Sequence, residues 1–275
     1  MIKRSILLCL VFMLLPICYA NAASVPAEVD QKMKNNINSI TDEMRKQLNF
    51  YNLKDESEVP LSLGQPYEIY NLNPKKIKTL HDEYKSNGID SIIINDSYWE
   101  YPLLDKNGKV VSSANVVKYN GNWEVVGIGQ YLPRDLINFS SNEDEIKKYL
   151  NEQGILNILS IKHLRALPYH TDFIYVAAEG NDYLVPLFGN YSMLDVENKK
   201  LYPAGEILSK ITELTNKQPS TNSKGEQLYG GTSGTNSSSN KTVTLLGIAS
   251  FVAVCILFGL ALKRIKRIKT NNGNI

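Results

Sequence analysis

The sequence predicts an α+β fold, an antiparallel sheet or pair of sheets with helices packed on one face, followed by one C-terminal transmembrane helix. Three observations carry this. Apolar residues recur at helical spacing in stretches that flank segments alternating with period two. Asn120-Gly121 and Asp105-Lys106-Asn107-Gly108 are hairpin turns between runs rich in β-branched and aromatic residues. A charge-free run from Thr242 to Leu262 is followed at once by Lys263, Arg264, Lys266, Arg267 and Lys269, and about 20 apolar residues at ~1.5 Å each span a bilayer's hydrocarbon core.

Val29, Met33, Ile37, Ile40, Met44 and Leu48 fall at intervals of three or four, which puts them on one face of a helix over residues 26–50. A short strand over 67–72 follows. Pro74 opens a helix with Ile77, Leu80 and Tyr84 inward and Gly88 as its stop. Strands are then expected at 91–94, 98–104, 109–119 and 122–128. In the second half, Ser140 or Ser141 caps a helix to about Asn151, with Glu143, Asp144 and Glu145 in its first turn and Gly154 after it. Strands over 155–167, 173–178 and 183–188 follow, and a helix over 203–214 presents Ile207, Leu208, Ile211 and Leu214 on one side. Helix followed by meander thus occurs twice. The chain is expected to form two tandem α+β units divided near residue 132, or one larger sheet with helices on one face.

Both termini of the chain carry membrane signals. Lys3 and Arg4, the apolar run 6–17 and Ala20-Asn21-Ala22 describe a secretory leader over residues 1–22. Cys18 follows Ile17 and Pro16, a poor match to a lipoprotein site. The basic flank after Leu262 places the C-terminus in the cytoplasm. The expected organisation is a leader over 1–22, an extracytoplasmic domain over 23–215, a polar stalk over 216–241, a membrane helix over 242–262 and a basic tail over 263–275. The stalk is dominated by Ser, Thr, Asn and Gly and has too few apolar groups to offset its ordering entropy. Its Leu228-Tyr229-Gly230-Gly231-Thr232 lacks the proline and residue order of a sortase signal.

All three cysteines, Cys9, Cys18 and Cys255, fall in the leader or the membrane helix, so the extracytoplasmic domain must be held by its core alone. Disulfide-free surface domains of this kind point to a Gram-positive type of envelope. Two of the 30 basic residues lie in the leader and six in Lys241 and the tail, whereas none of the 28 acidic residues does, so the domain and stalk together, residues 23–240, carry 22 basic against 28 acidic groups. That balance argues against nucleic acid as a partner held by bulk electrostatics.

The strings Leu63-Gly64-Gln65-Pro66-Tyr67, Trp99-Glu100-Tyr101-Pro102, Gly121-Asn122-Trp123 and Tyr183-Leu184-Val185-Pro186-Leu187 resemble those of uncharacterised secreted and surface proteins of Gram-positive bacteria with a C-terminal membrane anchor. The helix-on-meander order resembles the cystatin-like class used by inhibitory and propeptide-type domains. This is an analogy of fold, and it transfers no catalytic residue.

Candidate chemistry is sparse. His170 and Asp172 share strand parity and His163 lies on the preceding strand, which would suit a metal ligand set or a hydrolase's proton relay. Glu100 and Glu124 could oppose each other as glycosidase carboxylates do. His81-Asp82-Glu83 diverges around a helix and cannot converge on one ion. No nucleophile elbow, zinc-binding motif, phosphate loop or dinucleotide fingerprint occurs, and no cofactor is expected. Aromatics are the better binding candidates. Sixteen tyrosines are many for the length, and some of Tyr98, Tyr101, Tyr119 and Tyr131 are expected to be accessible anchors for a partner, with Trp99 and Trp123 in the core. The sequence therefore predicts a single-pass envelope protein that binds a protein or peptide. The alternatives are a surface hydrolase using His170 and Asp172, or an inhibitor-like module.

Overall fold

A computed structural model describes residues 24–129 and 131–217. The leader, membrane helix and basic tail expected from the sequence lie outside the described residues, as does all of the stalk but its first two positions. Those two continue the last helix, which runs to Lys217. Among the described residues, no helix is long and apolar enough to cross a membrane.

The α+β class is present. Helix α1 (Ala27–Lys46) leads into β1 (Ser62–Leu63) and β2 (Tyr67–Asn71), then α2 (Leu80–Asn87). Strands β3 (Tyr98–Leu104), β4 (Val110–Tyr119) and β5 (Asn122–Gly129) form the first meander. Helices α3 (Arg134–Ser141) and α4 (Glu143–Glu152) precede β6 (Ile158–Ala166), β7 (Thr171–Ala178) and β8 (Asn181–Leu187), and the short β9 (Tyr202–Pro203) enters α5 (Ala204–Lys217).

All nine strands join one mixed sheet in the order β5-β4-β3-β2-β6-β7-β8-β9, with β1 against the far end of β3. The two meanders are antiparallel, but β2 and β6 pair in parallel, Ile69 with His163 and Asn71 with Arg165. The expectation of purely antiparallel pairing fails at this junction. The two units therefore share one sheet.

Helices on one face were also expected, and here the structure differs. The register puts Glu68, Tyr70, Trp99, Leu164 and Phe173 on one face. There α1 packs Val29, Met33, Ile40 and Met44 on Trp99, Tyr101 and Leu103, and α2 and α5 cover Leu164, Phe173, Tyr175 and Leu184. On the opposite face α3 and α4 bury Leu136, Ile137, Phe139, Ile146 and Leu150 against Ile174, Val176, Val185 and Leu187. Because both faces of the inner strands are covered, β3 and β7 are buried residue after residue rather than alternately.

Residues 91–94 are not a strand. Ile89–Ser91 form a 3-10 turn, and Ile93 makes a single bridge to Leu72. Ile89, Ile92 and Ile93 are apolar because all three enter the core beside α2 and α5. The helix expected from Ser140 or Ser141 is α4, which starts at Glu143 with Asn142 as its cap, accepting a hydrogen bond from the Glu145 amide at 3.1 Å; the separate helix α3, led by Pro133, was not expected.

Gly64 shows how tightly β1 closes on β3. Its amide donates to the Pro102 carbonyl at 2.8 Å, and a Cβ there would stand 2.9 Å from that of Pro102. Gly64→Ala is expected to cost about 1–3 kcal/mol by overpacking, measured by urea unfolding.

Candidate functional site

The tyrosines separate. Tyr101 is 1% exposed beneath α1 and Tyr98 is 9% exposed on the other face with Tyr67 and Ile69. Neither is an accessible anchor, because β3 is an inner strand with cover on both sides. Tyr131 is half-buried and lies over a guanidinium, while Tyr119 at the β4–β5 turn is 66% exposed. Trp99 is core, whereas Trp123 on the outer strand is half-buried with Lys118 over its ring at 5.8 Å. Tyr101→Ala and Trp99→Ala are therefore both expected to cost about 3–5 kcal/mol, and Trp123→Ala clearly less; thermal unfolding distinguishes them.

The His163, His170 and Asp172 set does not converge. His170 sits in the β6–β7 turn at φ 52°, exposed and with its ring tilted against Tyr191 at 5.0 Å, so strand parity does not apply to it. Asp172 is buried and committed to an arginine. Among the described residues, no group of three His, Cys, Asp or Glu is arranged to hold a metal ion. Glu100 and Glu124 do not oppose each other either. Glu100 is buried on β3, while Glu124 on β5 is exposed and pairs with Lys32 at 2.7 Å.

A buried ionic cluster occupies the sheet centre instead. Arg165 on β6 donates through Nε and Nη2 to the two Asp172 oxygens at 2.8 and 2.6 Å, and through Nη2 to Glu100 Oε2 at 3.0 Å. The rings of Tyr131 and Tyr98 lie 4.2 and 5.5 Å from its Cζ. Two carboxylates against one guanidinium leave an excess negative charge out of water. Burial, with Glu100 adding to it, pushes the Asp172 carboxyl above its ordinary range despite Arg165, and Asp172 holds the guanidinium firmly protonated. Tyr67, opposite Glu100 in the ladder, has its hydroxyl pushed well up by burial and then by that carboxylate. The sequence reading missed Arg165. Its only signal was a charged residue inside an otherwise strand-like run, which a surface strand face explains equally well.

Beside the cluster, β2 and β6 stay paired only from Ile69 and His163 onward. Toward their N-termini they diverge around a cavity of about 300 Å³. Gln65, Tyr67, Trp99, Ser140, Ile161 and His163 are among its lining residues. The His163 and Tyr67 rings meet at a tilt of 48° with centroids 4.7 Å apart. The ring keeps a partial opening to the cavity, yet protein atoms surround it densely enough that desolvation pushes its pKa down to about 4. It is therefore neutral at physiological pH.

The other feature open to partners is the outer strand β5. Its far edge has no strand partner among the described residues, it carries no proline, and its one charged side chain, Glu124, is held by Lys32. Val126 on β5 is 49% exposed, and Tyr119, opposite Asn122 at the turn that opens the strand, is exposed as well. Comparison of the chain with protein-family models, with curated proteins and with solved structures gave no match.

Proposed function

We propose that this chain is a single-pass, membrane-tethered protein of the bacterial envelope whose extracytoplasmic α+β domain binds an extended segment of another envelope protein or peptide. The leader, the apolar run and the basic flank in the sequence support the tether and its orientation. The observation that carries the binding role is the eight-residue β5 edge. Sheet edges are commonly protected by lysine, proline or inward charge, because a bare row of N–H and C=O groups pairs with another strand. β5 has none of these three, although a bulge at Val126 shifts its register with β4 between Asn115 and Val116. A peptide added there would gain main-chain hydrogen bonds, with Val126 and Tyr119 as apolar contacts.

A photo-reactive residue at position 119 in the full chain, expressed in intact cells, should trap a partner. Val126→Lys, which places an edge charge at no cost to the core, should reduce that crosslink by about tenfold or more, equivalent to ~1.4 kcal/mol, while leaving the melting temperature within a few degrees. An undiminished crosslink would exclude strand addition at this edge. Protease added to the same cells should remove the domain and leave a small membrane-bound remnant; full protection would exclude the orientation.

A further inference from the structure

The cavity between β2 and β6 holds more unsatisfied polar capacity than a structural gap requires. Ser140 Oγ has no hydrogen-bond partner, and the Tyr67 hydroxyl, which lies against the Glu100 carboxylate, receives no hydrogen bond from a described donor, although their residues are only 3% and 7% exposed; both residues line the cavity. The ring nitrogens of His163, on the same wall, make no hydrogen bond to any described residue. Buried polar groups are ordinarily paired, so two buried hydroxyls with no donor, beside an imidazole that opens to the same void, point to a guest that supplies the missing partner.

We propose that this cavity binds a small primary amine in its ammonium form. Two hydroxyl oxygens and an imidazole nitrogen can all accept, and an ammonium presents three donors and no acceptor. The charge balance favours a cation. Glu68, which lines the cavity, accepts from the neutral hydroxyls of Tyr70 and Ser97, whereas Glu143 is paired with Lys147 at 2.6 Å, and the Arg165 cluster behind the cavity holds one more carboxylate than guanidinium. Lys162 does not fill the role itself, since its ammonium lies 3.3 Å from Asp90 and over the Tyr70 ring at 5.0 Å. The neutral state of His163 removes a competing positive charge from the wall. Tyr67 and Trp99 supply aromatic surface of the kind that attracts organic cations. The volume of about 300 Å³ suits a small molecule rather than a folded segment.

The chain's two tryptophans make a test convenient, because only Trp99 lines the cavity. In the detergent-solubilised full chain carrying Trp123→Phe, butylammonium chloride should change Trp99 emission saturably, sodium chloride at equal ionic strength should not, and butan-1-ol should bind at least about tenfold more weakly. Calorimetry on the unsubstituted chain gives the affinity without relying on fluorescence. Tyr67→Phe and Ser140→Ala should each weaken binding at least about threefold. Each deletes a hydroxyl that receives no hydrogen bond from a described donor, so a purely structural role predicts no effect on the amine. Equal affinity for butan-1-ol, affinity indifferent to both substitutions, or no heat and no emission change would overturn the proposal.

Discussion

Arg165→Met is expected to destabilise the protein by about 3–5 kcal/mol, the largest effect of any single substitution away from the aromatic core. The methionine fills most of the arginine's volume, so the loss is electrostatic. It leaves Glu100 and Asp172, 0% and 6% exposed, as buried carboxylates with no countercharge. The deficit should be greatest at neutral pH and shrink in acid, because protonating the two carboxyls removes the uncompensated charge. Combining Arg165→Met with Glu100→Gln and Asp172→Asn should recover most of the stability, since apolar or neutral replacements of a whole buried ionic set are often close to neutral. Urea unfolding of the single and triple variants at pH 5 and pH 7 checks both statements. A single variant as stable as the parent would mean that the cluster is solvated.

His163 should make the fold acid-sensitive. Its pKa falls from 6.5 to about 4 on folding, so between these values the unfolded chain takes up a proton that the folded protein refuses. Stability linked to this ring is fully present above about pH 6.5 and is lost as pH falls toward 4, to a limit of about 3 kcal/mol at ~1.36 kcal/mol per unit. Asp172 acts in the opposite sense: its carboxyl is raised above 3.8 in the fold, so its proton favours the folded state in acid and the benefit declines as pH rises through its folded value. The difference between parent and His163→Phe isolates the histidine. The aromatic replacement keeps the ring contact with Tyr67, and the stability gap between the two proteins should be constant above about pH 7 and shift in favour of the variant below about pH 6. A gap independent of pH would show that the ring is freely hydrated.

Much of the fold was legible because local spacing carried it. The apolar stripe of α1, Gly88 closing α2, the Asn120-Gly121 hairpin and the Ile207-Leu208-Ile211 face of α5 each express a helix or turn through backbone chemistry alone. The layering was harder to read. The runs Tyr98 to Leu103 and Phe173 to Ala178 show little alternation, and this is the mark of strands covered on both faces; in the first run it suggested instead that Tyr98 or Tyr101 would be accessible. Short β1 and β9 have too few residues for any period to show. Ile89, Ile92 and Ile93 imitate a strand because β-branched residues suit either a strand or a buried turn.

The candidate sites divide along the same line. Tyr119 and the strand after it were visible as a hairpin signal with an aromatic at its tip, since a tight turn leaves its flanking side chains in solvent whatever packs elsewhere; that this strand is the outer one follows from the sheet order. Segment types, hairpin registers, the excess of acidic groups in the domain and the membrane signals in the flanks are properties of neighbouring residues, and the sequence by itself determined them as far as it reached. The parallel pairing of β2 with β6, the two-sided cover, the junction of Arg165 with Glu100 and Asp172, and the cavity between Tyr67 and His163 depend on contacts between residues up to about a hundred positions apart. Such contacts are set by which apolar faces bury each other most completely, and only the tertiary structure decided them.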